Sequence, residues 1–240
     1  MKQIDLKNLI IFENEDYFVV NKPPYVSTLD ERIAKEGKPS IIRLAREYCS
    51  SAQVCHRLDK ETSGAIAIAK NAKAYRHLAM QFEARQVGKI YHAVVNGIHN
   101  FEDVAVNMPI LPLKTGIVQI DYRAGKEALT FFKTVKAFSQ HTLVKCMPLT
   151  GRMHQIRIHL SVLKAPIVAD ELYGGKPIFL SEIKKRFKLK QDTEEQPLIK
   201  RAALHAFSLI FKDLQGNEII AEAPYPKDME ALLNQLEKWA

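Results

Sequence analysis

Residues 55–64 read CHRLDKETSG, and the apolar run GAIAIA begins at the last of them. Arg57 and Asp59 stand two apart. In an extended segment they face the same side, because side chains alternate along a strand. A carboxylate beside a guanidinium can act as a nucleophile or base while the cation holds an anion. The plainer alternative is an ion pair that staples a turn, with Thr62 and Ser63 bonding the backbone.

Two further stretches could carry chemistry. In PLTGRMHQIRIHL (148–160) a helix would align Met153, Ile156, Leu160 and Leu163 as an apolar stripe, with Arg157 on its flank. A half-buried guanidinium needs an acceptor, and Asp59 is a candidate. Gly151 permits close approach of a ligand to the backbone, and Arg152 and His154 add polar reach at the helix start. In GKIYHAVVNG (88–97) Lys89, Tyr91, Ala93 and Val95 share one strand face. Tyr91 is there either a core tyrosine or a stacking platform.

The elements that must position these residues follow from periodicity. Strands are expected at 17–21, 64–69, 89–96, 128–137, 142–147 and 205–211. Helices are expected at 40–49, at 72–85 with Asn71 as N-cap, at 153–164, and at 227–239 after Pro226. The strands lack regular βαβ alternation, which points to an α+β fold with a largely antiparallel sheet. The chain is expected to form a single domain over 1–240, with 176–201 as a basic insertion. Five basic residues lie between Lys184 and Lys190 of that insertion. They are either a solvated face or a finger that touches phosphates.

The 240 residues carry a formal net charge of +8, which fits a polyanionic partner. No secretory signal or membrane span is legible, and the three cysteines read as reduced thiols of a cytosolic protein. No GxGxxG follows a strand, and Gly175-Lys176 continues into Pro177, so dinucleotide and P-loop chemistry lack support. There is no HExxH, and Cys49, Cys55 and His56 have the wrong spacing for zinc. HRLD lacks the other kinase motifs.

HRLDKETSG resembles the HRLDxxTSG motif of the RluA-type RNA pseudouridine synthases. TGRMHQIRIHL and KIYHAVVNG are similar to that family's second long motif and its tyrosine strand. VVNKPPYVST and RAALHAFSL resemble its flanking motifs, and all five stand in the family's order between residues 17 and 211. Pro24-Tyr25 departs from the pattern where relatives often have a glycine. The small RNA-binding domain that many relatives carry first finds no room in this chain.

The resemblance implies a mixed, mainly antiparallel bent sheet flanked by helices, with a central basic cleft. It implies isomerisation of uridine in RNA to pseudouridine, in ribosomal or transfer RNA, without cofactor or metal. Asp59 would be the nucleophile, Arg57 would fill the space of a flipped base, and Tyr91 would stack on it. Arg157 would pair with Asp59 and keep it ionised, and Leu204 would pack against the base. Lys184, Lys185 and Lys188 are candidate RNA contacts. RNA is the expected partner of a cytoplasmic monomer that needs no protein partner and no membrane. A turnover-free RNA chaperone and a base glycosylase are the competing functions.

Overall fold

The computed structural model describes residues 4–30, 39–189 and 193–239. In chain order these form β1 (Ile10–Glu13), β2 (Tyr17–Lys22), α1 (Ile41–Tyr48), β3 (Gln53–Val54), β4 (Ser63–Ala69), α2 (Ala72–Glu83) and β5 (Gly88–Asn96). Next come β6 (Val104–Asn107), β7 (Ile110–Pro112), β8 (Val118–Ile120), β9 (Leu129–Ala137), β10 (His141–Pro148), α3 (Gln155–Val162) and α4 (Leu180–Ile183). The chain closes with β11 (Leu204–Lys212), β12 (Glu218–Glu222) and α5 (Lys227–Trp239). Strand pairing is mostly antiparallel, and the fold class is α+β as expected. Contacts divide the chain into two compact units, Met1–Ile90 with His205–Pro224, and Tyr91–Leu204 with Tyr225–Ala240.

In the first unit β4 pairs antiparallel with β2 and β3, and parallel with β11, which in turn pairs with β12. All seven residues of β4 are buried, which is why SGAIAIA shows no polar alternation. Asn71 caps α2 by accepting the Ala74 N–H, and the helix buries Ala74 and Leu78 against Tyr17, Val19 and Ala67. The parallel pairing aligns His205 with Ser63 and Ala206 with Gly64. Gly64 adopts φ +118, and a Cβ there would lie 2.1 Å from the Ala206 carbonyl oxygen. Only glycine lets the two backbones come this close.

His56 lies beneath the same helix. Its ring stacks on Phe82 at 4.7 Å, and its Nε2 accepts the Ala67 N–H at 3.0 Å. Burial, with a smaller contribution from the Lys89 charge, pushes its pKa down to about 3.

In the second unit β10 lies between β5 and β9, and β6 pairs with β9. β7 and β8 form a separate two-stranded ribbon, and α3 packs on β9 and β10. The core joins Val94, Phe132, Val144, Ile156, Leu160 and Leu232. Ile178, Ile183 and Ile199 belong to it as well, so both ends of the 176–201 stretch are anchored. α3 starts two residues later than expected, because His154 takes φ 52 and cannot continue a right-handed helix. Met153 therefore falls outside the expected stripe and is exposed, while Ile156 and Leu160 are buried.

Two outcomes test these features. Gly64→Ala forces backbone overlap and a disfavoured φ, and chemical denaturation should show a loss of about 3 kcal/mol or more. Unfolded His56 takes up a proton near its ordinary value of 6.5, whereas the folded residue resists until about 3. The unfolded chain therefore binds more protons between these values. Stability should be full above 6.5 and decline as pH falls from there. Urea midpoints measured between about pH 7 and pH 4 should fall less steeply in His56→Gln, which keeps an acceptor but does not titrate.

Candidate active site

The segment around Asp59 is extended. Arg57 is exposed, Leu58 buried and Asp59 half-buried, which is the alternation the sequence requires. The backbone is held on both sides of the carboxylate. Thr28 Oγ1 accepts the Leu58 N–H at 3.2 Å and donates to the Leu58 carbonyl at 3.0 Å. The Lys60 carbonyl accepts the Tyr25 N–H at 2.8 Å and Lys22 Nζ at 3.0 Å. Lys22 has no exposed surface, and its ammonium also donates to the Pro23 and Val26 carbonyls at 3.1 and 2.8 Å. A buried ammonium with three donors needs three acceptors, and here the backbone supplies them.

Below Asp59, its carbonyl accepts the Thr62 N–H at 3.1 Å. Ser63 Oγ meets His205 Nδ1 at 2.9 Å, and His205 Nε2 lies 2.9 Å from the Ala223 carbonyl. The motif's serine thus binds a histidine of the 201–209 stretch. Lys89 begins the tyrosine strand, and burial, with Arg85 nearby, pushes its pKa down to about 8.

In the second unit Tyr91 is half-buried and packs against the core, opposite Cys146 on β10. Arg157 is buried at 8% exposure. Its Nε and Nη2 donate to Asp170 Oδ2 and Oδ1, both at 2.6 Å, and its guanidinium lies 4.9 Å from the centre of the Tyr173 ring. A buried arginine in search of a carboxylate was legible in the sequence. That Asp170 is a partner was not. The Tyr173 hydroxyl meets His154 Nδ1 at 2.9 Å, and Arg152 Nε donates to the Glu127 carbonyl at 2.9 Å. Among the described residues, none beyond the two chain neighbours of Gly151 comes within 4 Å of a Cβ placed on it.

Leu204 is buried in the same core. Just before it, Arg201 donates to both Asp228 oxygens, at 2.8 and 3.0 Å, and to the Ala202 and Leu204 carbonyls at 3.2 and 3.1 Å. Burial works against the Asp228 charge, but Arg201 holds its carboxyl below the usual range. Lys184 is half-buried and lies over the Trp239 ring, whereas Lys185 and Lys188 are exposed. Lys190 lies outside the described residues.

Asp59 and Arg57 therefore belong to the first unit, and Tyr91, Arg157 and Leu204 to the second. Lys22, Thr28 and Asp170 were not legible as site residues. The available signals were a lysine on the same strand face as the apolar Val20 and the place of Lys22 and Thr28 in the VVNKPPYVST stretch. Among the described residues no group of three His, Cys, Asp or Glu side chains could hold a metal, and no helix is long and apolar enough to cross a membrane. A carboxylate on a clamped backbone can attack an electrophilic carbon or take a proton without reorganising.

The sequence and the fold both match known proteins. A family model described as RNA pseudouridylate synthase matches residues 16–162. The ribosomal large subunit pseudouridine synthase C of Buchnera aphidicola subsp. Baizongia pistaciae is 32% identical over 238 residues, covering 97% of this chain and 72% of that protein. The dual-specificity RNA pseudouridine synthase RluA of Vibrio parahaemolyticus is 36% identical over 176 residues, covering 69% and 68%. The solved structure of human RNA pseudouridylate synthase domain containing 4 shares the fold, with a TM-score of 0.71 at 23% identity and coverage of 97% and 94%. The matched stretch takes in the clamped Asp59 loop, the tyrosine strand and Arg157, and the chain belongs to the RNA pseudouridylate synthase family, in its RluA-type branch.

Proposed function

We propose that this protein isomerises uridine to pseudouridine in RNA, with ribosomal RNA the first substrate to test. The observation that carries the reading is the double clamp on the Asp59 backbone by Lys22 and Thr28. The names of the curated relatives, which include ribosomal synthases and a dual-specificity enzyme, support the choice of RNA.

The reaction breaks the bond between the sugar and N1 of uracil and forms one between the sugar and C5. C5 loses a proton and N1 gains one, so atoms and electrons balance without an oxidant, a reductant or an energy source. Positive charge builds at the anomeric carbon as the first bond breaks, and a single carboxylate answers it. Asp59 is that carboxylate. Arg57, exposed beside it, fills the place of the flipped base and holds phosphate. Tyr91 stacks on the extruded uracil, and Leu204 lines its pocket. Arg157, held by Asp170 and lying over the Tyr173 ring, contributes a fixed positive charge to substrate binding. Lys185 and Lys188 contribute phosphate contacts. The enzyme works as a monomer in the cytoplasm.

Tritium release from C5-labelled uridine in RNA tests the reaction directly. Asp59→Asn should reduce release to background while RNA affinity stays within a few-fold, and near-normal release would end the proposal. Release of free uracil would identify a glycosylase instead, and binding without release from the native protein would identify a chaperone. Lys22→Met keeps the buried stem but leaves three carbonyls without their ammonium. It should cost about 2 kcal/mol or more in urea unfolding. It should also lower kcat more than about tenfold, with KM little changed, because the carboxylate loses its fixed position. An unchanged kcat would show that the clamp does not serve catalysis.

A further inference from the structure

The end of α4 and the last turn of α5 meet on one indole. Lys184 Nζ lies 4.8 Å from the centre of the Trp239 ring, and Lys238 Nζ lies 4.9 Å from it. Trp239 is 38% exposed, and its Nε1–H donates to Gln235 Oε1 at 3.0 Å, which fixes the orientation of the ring. α4 packs against α5, so both lysines and the ring are carried by docked elements of the second unit.

An ammonium group attracted to an aromatic ring loses some of its freedom and is presented in a more restricted position. The two cations stand within two ring-to-ammonium lengths of each other and repel. An anion between them would relieve that repulsion. The neighbouring carboxylates are engaged elsewhere. Glu237 pairs with Lys136 at 2.9 Å, Glu182 accepts the Phe179 N–H, and Glu195 accepts the Ser181 N–H. Exposed Lys185 and Lys188 extend the positive surface from Lys184. Paired cations beside a partly exposed aromatic ring match single-stranded nucleic acid, whose phosphates meet the ammonium groups and whose bases meet the ring.

We propose that Lys184, Lys238 and Trp239 form a second RNA-binding surface, which grips a single-stranded segment of the substrate away from the reacting uridine. A backbone phosphate sits between the two ammonium groups, and a neighbouring base stacks on the exposed part of the indole. This surface rests on the RNA reading above and adds to it a place where the substrate is held.

Trp239 is the only tryptophan of the chain, so its fluorescence reports on this surface alone. The probe is an oligoadenylate of about 12 nucleotides, within the site size of single-strand binders and without a uridine to react. Titration into the full chain should quench the emission. Trp239→Ala should weaken binding, followed by anisotropy of the labelled oligonucleotide, at least about fivefold. The double variant Lys184→Ser, Lys238→Ser retains the fluorophore and should flatten the salt dependence of binding by about 0.7 for each phosphate that no longer meets an ammonium group. Binding with unchanged emission and an unchanged salt slope overturns the proposal. So does quenching by polyglutamate but not by RNA, which would identify an acidic protein partner. Tritium release measured in parallel separates the two claims. Quenching without release leaves this surface standing and sinks the proposed reaction, while release without quenching does the reverse.

Discussion

A buried ammonium dictates the shape of the loop that carries Asp59. Lys22 ends a strand whose other residues are nearly all buried, and its charge has no route to water. The charge is tolerable only if every donor finds an oxygen. Three carbonyls, from Pro23, Val26 and Lys60, turn toward it. Two belong to the chain just downstream of Lys22. The third belongs to the residue after Asp59, so satisfying one lysine fixes the position of a loop distant in sequence. Thr28 repeats the device on the other side, giving and receiving a hydrogen bond at Leu58. The carboxylate lies between two pinned peptides, which is the kind of preorganisation that avoids moving dipoles during a reaction.

The second unit uses charge differently. Arg157 and Arg201 are both buried, and each meets a carboxylate with two parallel hydrogen bonds. Planar guanidinium suits this geometry, and lysine would not replace it. Arg157 is fixed further by the face of Tyr173, whose hydroxyl in turn meets His154 and accepts the Val118 N–H. Arg201 ties the first turn of α5 to the backbone just before β11. Such pairs add little net stability over apolar packing, but losing one partner strands a buried charge.

Long elements were legible because their apolar patterns are long. GAIAIA, KIYHAVVN and HTLVKCMP are all strands, and the helices after Asn71 and Pro226 are where capping and periodicity put them. β12 was not legible. Its five residues alternate between buried and exposed, which is too short a run to distinguish from a loop. β3, β7, β8 and α4 are shorter still. At the site, the motifs singled out candidate residues but not what holds them. Arg157 could be seen to need a carboxylate, yet Asp170 lies in a loop whose sequence, VADELYG, does not set it apart from other surface acids. The burial of Lys22 was not legible, because it depends on a loop wrapping the side chain and on the arrival of Lys60. Both are tertiary events.

The first unit is discontinuous. Its sheet is completed only when β11 aligns beside β4, through a pairing such as Ser63 to His205 that spans 142 positions. During synthesis, residues 91–204 emerge before the strand that completes the earlier unit. That intervening stretch carries most of the second core and can begin to collapse on its own. Until β11 arrives, one edge of β4 offers unpaired backbone groups at the end that carries the HRLD motif, as do other open strand edges. Closing a loop of this length carries an entropic cost that local contacts cannot offset. Closure of the Asp59 region is therefore a late event in folding, and the second core in turn gains Met229, Leu232 and Leu236 only after β11 has emerged.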